Sequence, residues 1–239
     1  MVAPLEWTSI LAGEAGAAHL RRSGDGPRPA ATGTAPPRPA ATGWQDDRVT
    51  LHPRPRRRPD VTEVDLVGGP EAIAVTLHDP DPRWPELYLE HERRIVAALA
   101  TTGTQADVEH IGSTSVPGLA AKPIVDVVVA VDDVTAEEDW LGPLLAAGYV
   151  LRVREPGHRL VRTPERDVHV HVYDRGAPAV ADYLLLRDHL RRDDDDRALY
   201  ERTKRALLAR RWDDMNDYAD AKTDVITAIK GRAREAREG

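Results

Sequence analysis

Ile124-Val-Asp-Val-Val-Val-Ala-Val131 is apolar at every position except the third. Successive side chains of a strand point to opposite faces, so a run without polar alternation has to be covered on both. This one segment restricts the chain to layered folds in which a sheet lies inside. It also singles out Asp126, because a carboxylate on such a strand must be ion-paired, hydrogen-bonded or liganded.

The surrounding pattern supplies the other layers. Ala72–Leu77 reads as a strand and Asp79–Trp84 as a turn, with Pro85 at the start of a helix carrying Leu87, Tyr88, His91, Ile95, Ala98 and Leu99 at helical spacing. Val108–Ile111 is a short strand. A helix is expected from Ala136 to Ala147, stopped by Gly148, and Tyr149–Arg154, Arg159–Thr163 and Val168–Tyr173 read as three further strands. Beyond Ala179 the periodicity is helical: Ala181–Arg191, a helix capped by Asp193–Asp196 and running to Arg210, and a last one from Asp213 past Ile229. The expected class is α+β, a mixed sheet core with flanking helices and a helical C-terminal part. With no Phe in 239 residues, the core must rest on Leu, Val, Ile and Ala.

The first 70 residues read differently. Pro-Arg-Pro-Ala-Ala-Thr-Gly occurs at 27–33 and again at 37–43, and His52-Pro-Arg-Pro-Arg-Arg-Arg-Pro59 follows. Proline fixes φ and removes donors, and adjacent arginines repel, so a disordered, solvated tail is expected, with the folded domain spanning 71–235. The alternative for the arginine run is an arm for nucleic acid or an acidic partner. Residues 1–70 hold nine Arg and eight acids, a balance of +1, which leaves −8 of the total −7 on the remainder. A net-negative domain is a poor non-specific nucleic-acid binder. Absence of Cys excludes disulfides and thiol chemistry, and no apolar stretch is long enough for a membrane span. Early Glu6 argues against a secretory leader, so a cytoplasmic location is expected.

Chemistry concentrates in His110-Ile-Gly-Ser-Thr-Ser-Val-Pro-Gly-Leu-Ala-Ala-Lys-Pro-Ile-Val-Asp126. Gly112 permits close backbone approach to a phosphate, and Ser113 with successive N–H groups can cradle its oxygens. An Asp on the next strand can hold a divalent cation bridging those phosphates. Twelve residues separate Ser113 from Asp126.

This segment resembles the GrpB family, a branch of the nucleotidyltransferase superfamily. Similar features recur in Asp81-Pro-Arg-Trp-Pro85, His158-Arg-Leu160, Val170-His-Val172, Arg187-Asp-His-Leu-Arg191 and the pairs Tyr200/Lys204 and Tyr218/Lys222, covering about 73–232. The resemblance implies a nucleotidyltransferase-like fold that binds a nucleotide or another phosphorylated small molecule, with a metal-dependent transferase activity. Some relatives are fused to a dephospho-coenzyme A kinase, so a non-catalytic or regulatory module linked to coenzyme A metabolism is the alternative. The P-loop of such a kinase is absent from this chain.

One departure matters. Two-metal transfer needs carboxylates at i and i+2 on one strand face, and the position two after Asp126 is Val128. The resemblance implies a third ligand from a later strand of the same sheet, for which Val168–Tyr173 is the candidate; it offers His169 and His171, on the side opposite the valines, in place of a carboxylate. Asp126 and His171 are therefore the catalytic candidates, and Asp126, His171 and His169 the metal candidates, with Mn or Zn preferred over Mg. Gly112, Ser113, Thr114, Lys122 and Arg159 are the phosphate-binding candidates. The plainer readings stand beside these: Asp126 paired with Lys122 or Arg159, Ser113 and Thr114 capping a turn, Lys122 a loop charge, His169 facing solvent, His110 a core histidine, and Arg187 with Arg191 an ion-paired face.

Overall fold

The computed structural model describes residues 56–69, 76–209 and 215–238. Six strands and five helices follow in the order β1 (Asp65–Leu66), α1 (Arg83–Ala100), β2 (Ala106–Ile111), β3 (Val125–Val131), α2 (Glu137–Ala146), β4 (Val150–Glu155), β5 (His158–Arg162), β6 (Val168–Asp174), α3 (Pro178–Arg192), α4 (Asp194–Leu208) and α5 (Met215–Glu238). A single 3₁₀ turn, Ser113–Ser115, follows β2. The α+β class and the mixed sheet expected above are those observed.

The sheet runs β1-β4-β5-β6-β3-β2, and only β3 and β6 pair in parallel. That pairing places the apolar run at the interior of the sheet, and all seven residues of β3 are buried. On one face Val125, Val127 and Val129 join Val168, Val170 and Val172 of β6, packed against Ile95 and Leu99 of α1 and Trp140 and Leu144 of α2. Each such fully buried side chain contributes roughly 1.5–3 kcal/mol. In the absence of Phe, Trp140 and Tyr149 provide the bulk, and His91 Nδ1 meets the Tyr149 hydroxyl at 2.7 Å.

The other face carries the chemistry. There Ile111, Val128 and Tyr173 pack against Tyr183 of α3. Beyond it α3, α4 and α5 form a helical layer, in which Leu190, Tyr200, Ile226 and Ile229 close over Val116 and Leu119 of the loop between β2 and β3. The loop is thus held between sheet and helices. Gly148, with φ +92°, ends α2 as a left-handed stop, and Asp193 caps α4 by accepting from the Asp196 amide at 2.8 Å.

One expectation needs correction. The stretch 56–69, expected in the solvated tail, lies along the domain: β1 pairs antiparallel with β4, and Val67 N donates to Arg152 O at 3.0 Å. Its arginines are neutralised rather than left to repel. Arg56 meets Asp174 at 2.9 Å, Arg57 pairs with Asp139, and Arg58 meets Glu138 at 3.2 Å. The strand expected at Ala72–Leu77 falls largely outside the described residues; within them Thr76 and Leu77 form no strand, and His78 makes an isolated bridge to Ala121.

Candidate functional site

Parallel pairing of β3 with β6 sets Asp126 opposite His169 and Val128 opposite His171. Period-two alternation then turns Asp126, His169 and His171 to one face. Asp126 Oδ1 lies 3.6 Å from His171 Nε2 and 3.7 Å from His169 Nδ1. One ligand atom from each of the three falls within 4.8 Å of the others. Asp126 and His171 are buried, whereas His169 is partly open.

Two buried atoms of this cluster, Asp126 Oδ1 and His171 Nε2, make no hydrogen bond. They face each other at a separation too long for a hydrogen bond, which for nitrogen and oxygen runs about 2.7–3.2 Å. Ligands about 2.0–2.2 Å from one tetrahedral ion stand about 3.4 Å apart, close to the spacing here. Burial holds His169 down at about 4, against the upward pull of Asp126, so its ring is a neutral donor.

Behind His171 stands a second pair. His171 Nδ1 is 3.1 Å from His158 Nε2, and His158 Nδ1 is 2.6 Å from Glu155 Oε1. Burial pushes His158 down to about 4, overcoming the carboxylate of Glu155, and Tyr173 stacks on its ring at 4.4 Å.

The turn after β2 forms the other wall. Gly112 has φ +72° and ψ −175°, and a β-carbon there would stand 2.5 Å from Asp126 Oδ2. The glycine is needed to let the backbone pass the carboxylate, a tighter demand than approach to a phosphate. Lys204 of α4 donates from Nζ to Ser113 Oγ at 3.1 Å and to the Ala120 carbonyl, with Nζ over the Tyr200 ring at 4.7 Å. Burial lowers its ammonium to about 7. Helix α3 clamps the same turn: Arg191 Nε donates to Ser115 O at 2.9 Å and Arg187 Nη1 to His110 O at 3.0 Å. A narrow cleft lined by Gly112, Ser113, Tyr183, Leu190 and Tyr200 offers about 20 Å³, room for one water.

Of the residues chosen from sequence, Asp126, His169, His171, Gly112 and Ser113 come together. Thr114 is buried on the same turn with Oγ1 held 3.1 Å from His110 Nε2, and His110 stacks on Tyr88, as a core histidine would. Lys122 precedes β3, near enough for its charge to help depress His169. Arg159 is not brought to the site. It pairs with Val172 and Arg154 in the sheet, on the face of α2, where it meets Glu137 at 2.7 Å and Asp60 at 2.9 Å. It therefore cannot be the partner of Asp126. Arg187 is ion-paired, to Glu109 at 2.7 Å and Asp188 at 2.8 Å. A second cluster, His189 with Asp193 and Asp196, is already saturated, since Asp196 accepts from His189 at 2.6 Å and from Arg232.

Sequence reading missed Lys204, His158 and Glu155 as parts of the site. The scarcity of Lys and the Tyr200/Lys204 pair were the signal for the first. Strand parity was the signal for the second, since His158 and Leu160 alternate with Arg159 and Val161.

Fold and site define an α+β protein in which a glycine-serine turn abuts a carboxylate–histidine cluster, with one acid where two-metal enzymes of this plan carry two. The chain belongs to the GrpB family, whose model, described as GrpB protein, matches residues 74–232. A UPF0157 protein of Streptomyces coelicolor is 71% identical over 76% of this chain and 96% of its own length. A dephospho-CoA kinase of Mycolicibacterium paratuberculosis is 33% identical, over 65% of this chain but 43% of that protein. Among solved structures, the conserved protein GrpB from Enterococcus faecalis matches with TM-score 0.59 and 28% identity, over 69% of this chain and all of that one. No helix among the described residues is long and apolar enough to cross a membrane.

Proposed function

We propose that the protein binds a nucleotide or another phosphorylated small molecule beside one divalent cation held by Asp126, His171 and His169. The observation that carries this reading is the buried pair Asp126 Oδ1 and His171 Nε2, 3.6 Å apart and without hydrogen bonds. Two such acceptors are costly to bury facing each other unless a cation joins them. A carboxylate with imidazoles fits Mn²⁺ or Zn²⁺ better than Mg²⁺. When bound, such a cation supplies Lewis-acid attraction for phosphate oxygens.

The chain's own groups do the rest. Lys204 and Ser113 stand ready for a phosphate on the turn side, and Lys122 adds positive charge near His169. The room for one water beside Ser113 means that α3 and α4 must draw back from the turn to admit more than a phosphate oxygen. A second reading, a module that binds without transferring, is favoured by Val128. It is buried among Ile111, Tyr173 and Tyr183 and offers no second carboxylate. On that reading the likeness to part of a dephospho-CoA kinase points to precursors of coenzyme A as ligands.

The test is a thermal-shift panel of Mn²⁺, Zn²⁺ and Mg²⁺, each alone and with nucleotides or coenzyme A precursors, followed by assays for pyrophosphate release. Stabilisation by Mn²⁺ or Zn²⁺ that Asp126→Asn abolishes supports the site, and turnover then separates the two readings. A panel in which neither chain responds sinks both, whereas equal responses of the unsubstituted chain and Asp126→Asn to the organic ligands remove the cation site and leave the second reading.

A further inference from the structure

His171 is tied into a line of four buried or half-buried groups, Glu155–His158–His171–Asp126, with contacts of 2.6, 3.1 and 3.6 Å. The first two are hydrogen bonds and the third is not. Proton placement along the line follows from the end that has no choice. An ionised carboxylate only accepts, so the hydrogen between Glu155 and His158 sits on His158 Nδ1. A neutral imidazole carries one N–H, which leaves His158 Nε2 as an acceptor. The 3.1 Å contact then needs its hydrogen on His171 Nδ1, and His171 Nε2 is left with a bare lone pair.

That lone pair points at Asp126 Oδ1, itself only an acceptor, which accounts for both atoms lacking a hydrogen bond. Had the line run the other way, His171 would carry Nε2–H and close on Asp126 at ordinary hydrogen-bond length. We infer that Glu155 and His158 are positioning residues that lock His171 as its Nδ1–H tautomer, holding Nε2 open for a cation shared with Asp126. Metal-ligating histidines commonly have the second nitrogen fixed in this way by a carboxylate or carbonyl. Here the carboxylate acts through an intervening imidazole.

The arrangement is built rather than incidental. His158 and His171 lie diagonally on one face of the β5–β6 ladder, their rings stacked with centroids 5.3 Å apart. Tyr173, directly opposite His158 in that ladder, stacks on its ring, and Glu155 comes from β4 directly opposite His158. Four adjacent strands, β4, β5, β6 and β3, each contribute one member, so the line is set by sheet register and not by a mobile loop.

This inference rests on the cation site proposed above but can fail separately from it. In the metal-free full chain, long-range ¹H–¹⁵N spectra of the imidazoles, assigned with His171→Gln, read the tautomer directly. The expected result is Nδ1–H for both His158 and His171. Glu155→Gln is nearly isosteric, yet its amide can donate to His158 Nδ1, which lets both rings reverse so that His171 Nε2–H closes on Asp126. The spectrum of His171 should change accordingly, and Zn²⁺ affinity by calorimetry should fall roughly 10–100-fold. If the unsubstituted chain binds Zn²⁺ but His171 carries Nε2–H, or Glu155→Gln binds as tightly as before, the positioning role is overturned while the cation site stands. If no Zn²⁺ binds and the tautomers are as stated and reverse in Glu155→Gln, the line is supported and the cation reading fails. Tautomers indifferent to Glu155 overturn the inference whatever the metal does.

Discussion

Lys204 Nζ lies 3.1 Å from Ser113 Oγ and also donates to the Ala120 carbonyl, joining α4 to both ends of the loop that carries the glycine-serine turn. The ammonium is buried, and burial lowers it to about 7 from the 10.5 of a free lysine. The folded state therefore binds fewer protons than the unfolded one between those values. Stability contributed by this group is fully present above about 10.5 and is lost as pH falls toward about 7. Lys204→Met should flatten that dependence, measured as urea midpoints from pH 7 to 10.

An anion seated at the turn would favour the charged lysine. Phosphate-ligand binding at pH 8 should accordingly take up close to one proton, read by calorimetry in buffers of different ionisation enthalpy. In Lys204→Met the uptake should vanish and the affinity should drop at least tenfold. Binding with no proton uptake would place the anion away from Lys204.

The second expectation concerns Gly112, at φ +72° and ψ −175°, a region that side-chain-bearing residues rarely occupy. Gly112→Ala meets both that backbone cost, about 1–3 kcal/mol, and the Asp126 carboxylate 2.5 Å from the new carbon. The variant should be destabilised by at least this backbone cost and should lose Zn²⁺ or Mn²⁺ binding, because Asp126 must turn aside. A stable Gly112→Ala protein with intact metal affinity would show that the turn yields and the carboxylate does not.

A third expectation follows from Asp60, which accepts from the Gly157 amide and from Arg159 at 2.9 Å. Burial pushes its carboxyl upward, but the Gly157 amide and Arg159 outweigh burial and hold it below the usual range. Glu137, bound to Arg154 and Arg159, is likewise held down against burial. Their stabilisation is present above the ordinary carboxylate range near 4 and is lost as pH falls below it. A chain beginning at residue 70 should melt several degrees lower than one beginning at residue 56, and the gap should shrink toward pH 3. Equal melting temperatures at pH 7 would mean that β1 adds nothing.

What the sequence made legible, and what it did not, follows the range of the interactions. The apolar run of β3 and the alternation of His169 and His171 with valines are local, and they suffice to place strands and faces; the meeting of Asp126 with both histidines depends on the parallel pairing of β3 with β6, which local pattern does not carry. The segment 56–69 has no periodicity to read, since it is held by ion pairs to acids such as Asp139 and Asp174 that only the tertiary fold brings near. Arg159 was misjudged although its parity was visible: it lies two residues from Val161, which packs with the valines, so it belongs to their face. Lys204 comes to Ser113 from a helix 91 residues away, a contact that composition could hint at but not locate.

Val128 provides the last expectation. Installing the missing carboxylate by Val128→Asp would be the obvious way to rebuild a two-metal site on β3. The structure argues that it fails as a repair. Val128 is 1% exposed, in contact with Ile111, Tyr173 and Tyr183 and opposite His171 in the ladder. An acid there would have the Tyr173 and Tyr183 hydroxyls near it but no counter-charge, and burying it should cost several kcal/mol. In metal-free buffer the variant should therefore unfold at clearly lower urea, with part of the loss recovered as Mn²⁺ is added, since the new carboxylate joins Asp126 and His171. The urea midpoint against Mn²⁺ concentration is the measurement. A variant as stable as the parent without metal would mean that the apolar cover over β3 opens readily, and the single carboxylate of β3 would then reflect chemistry and not packing.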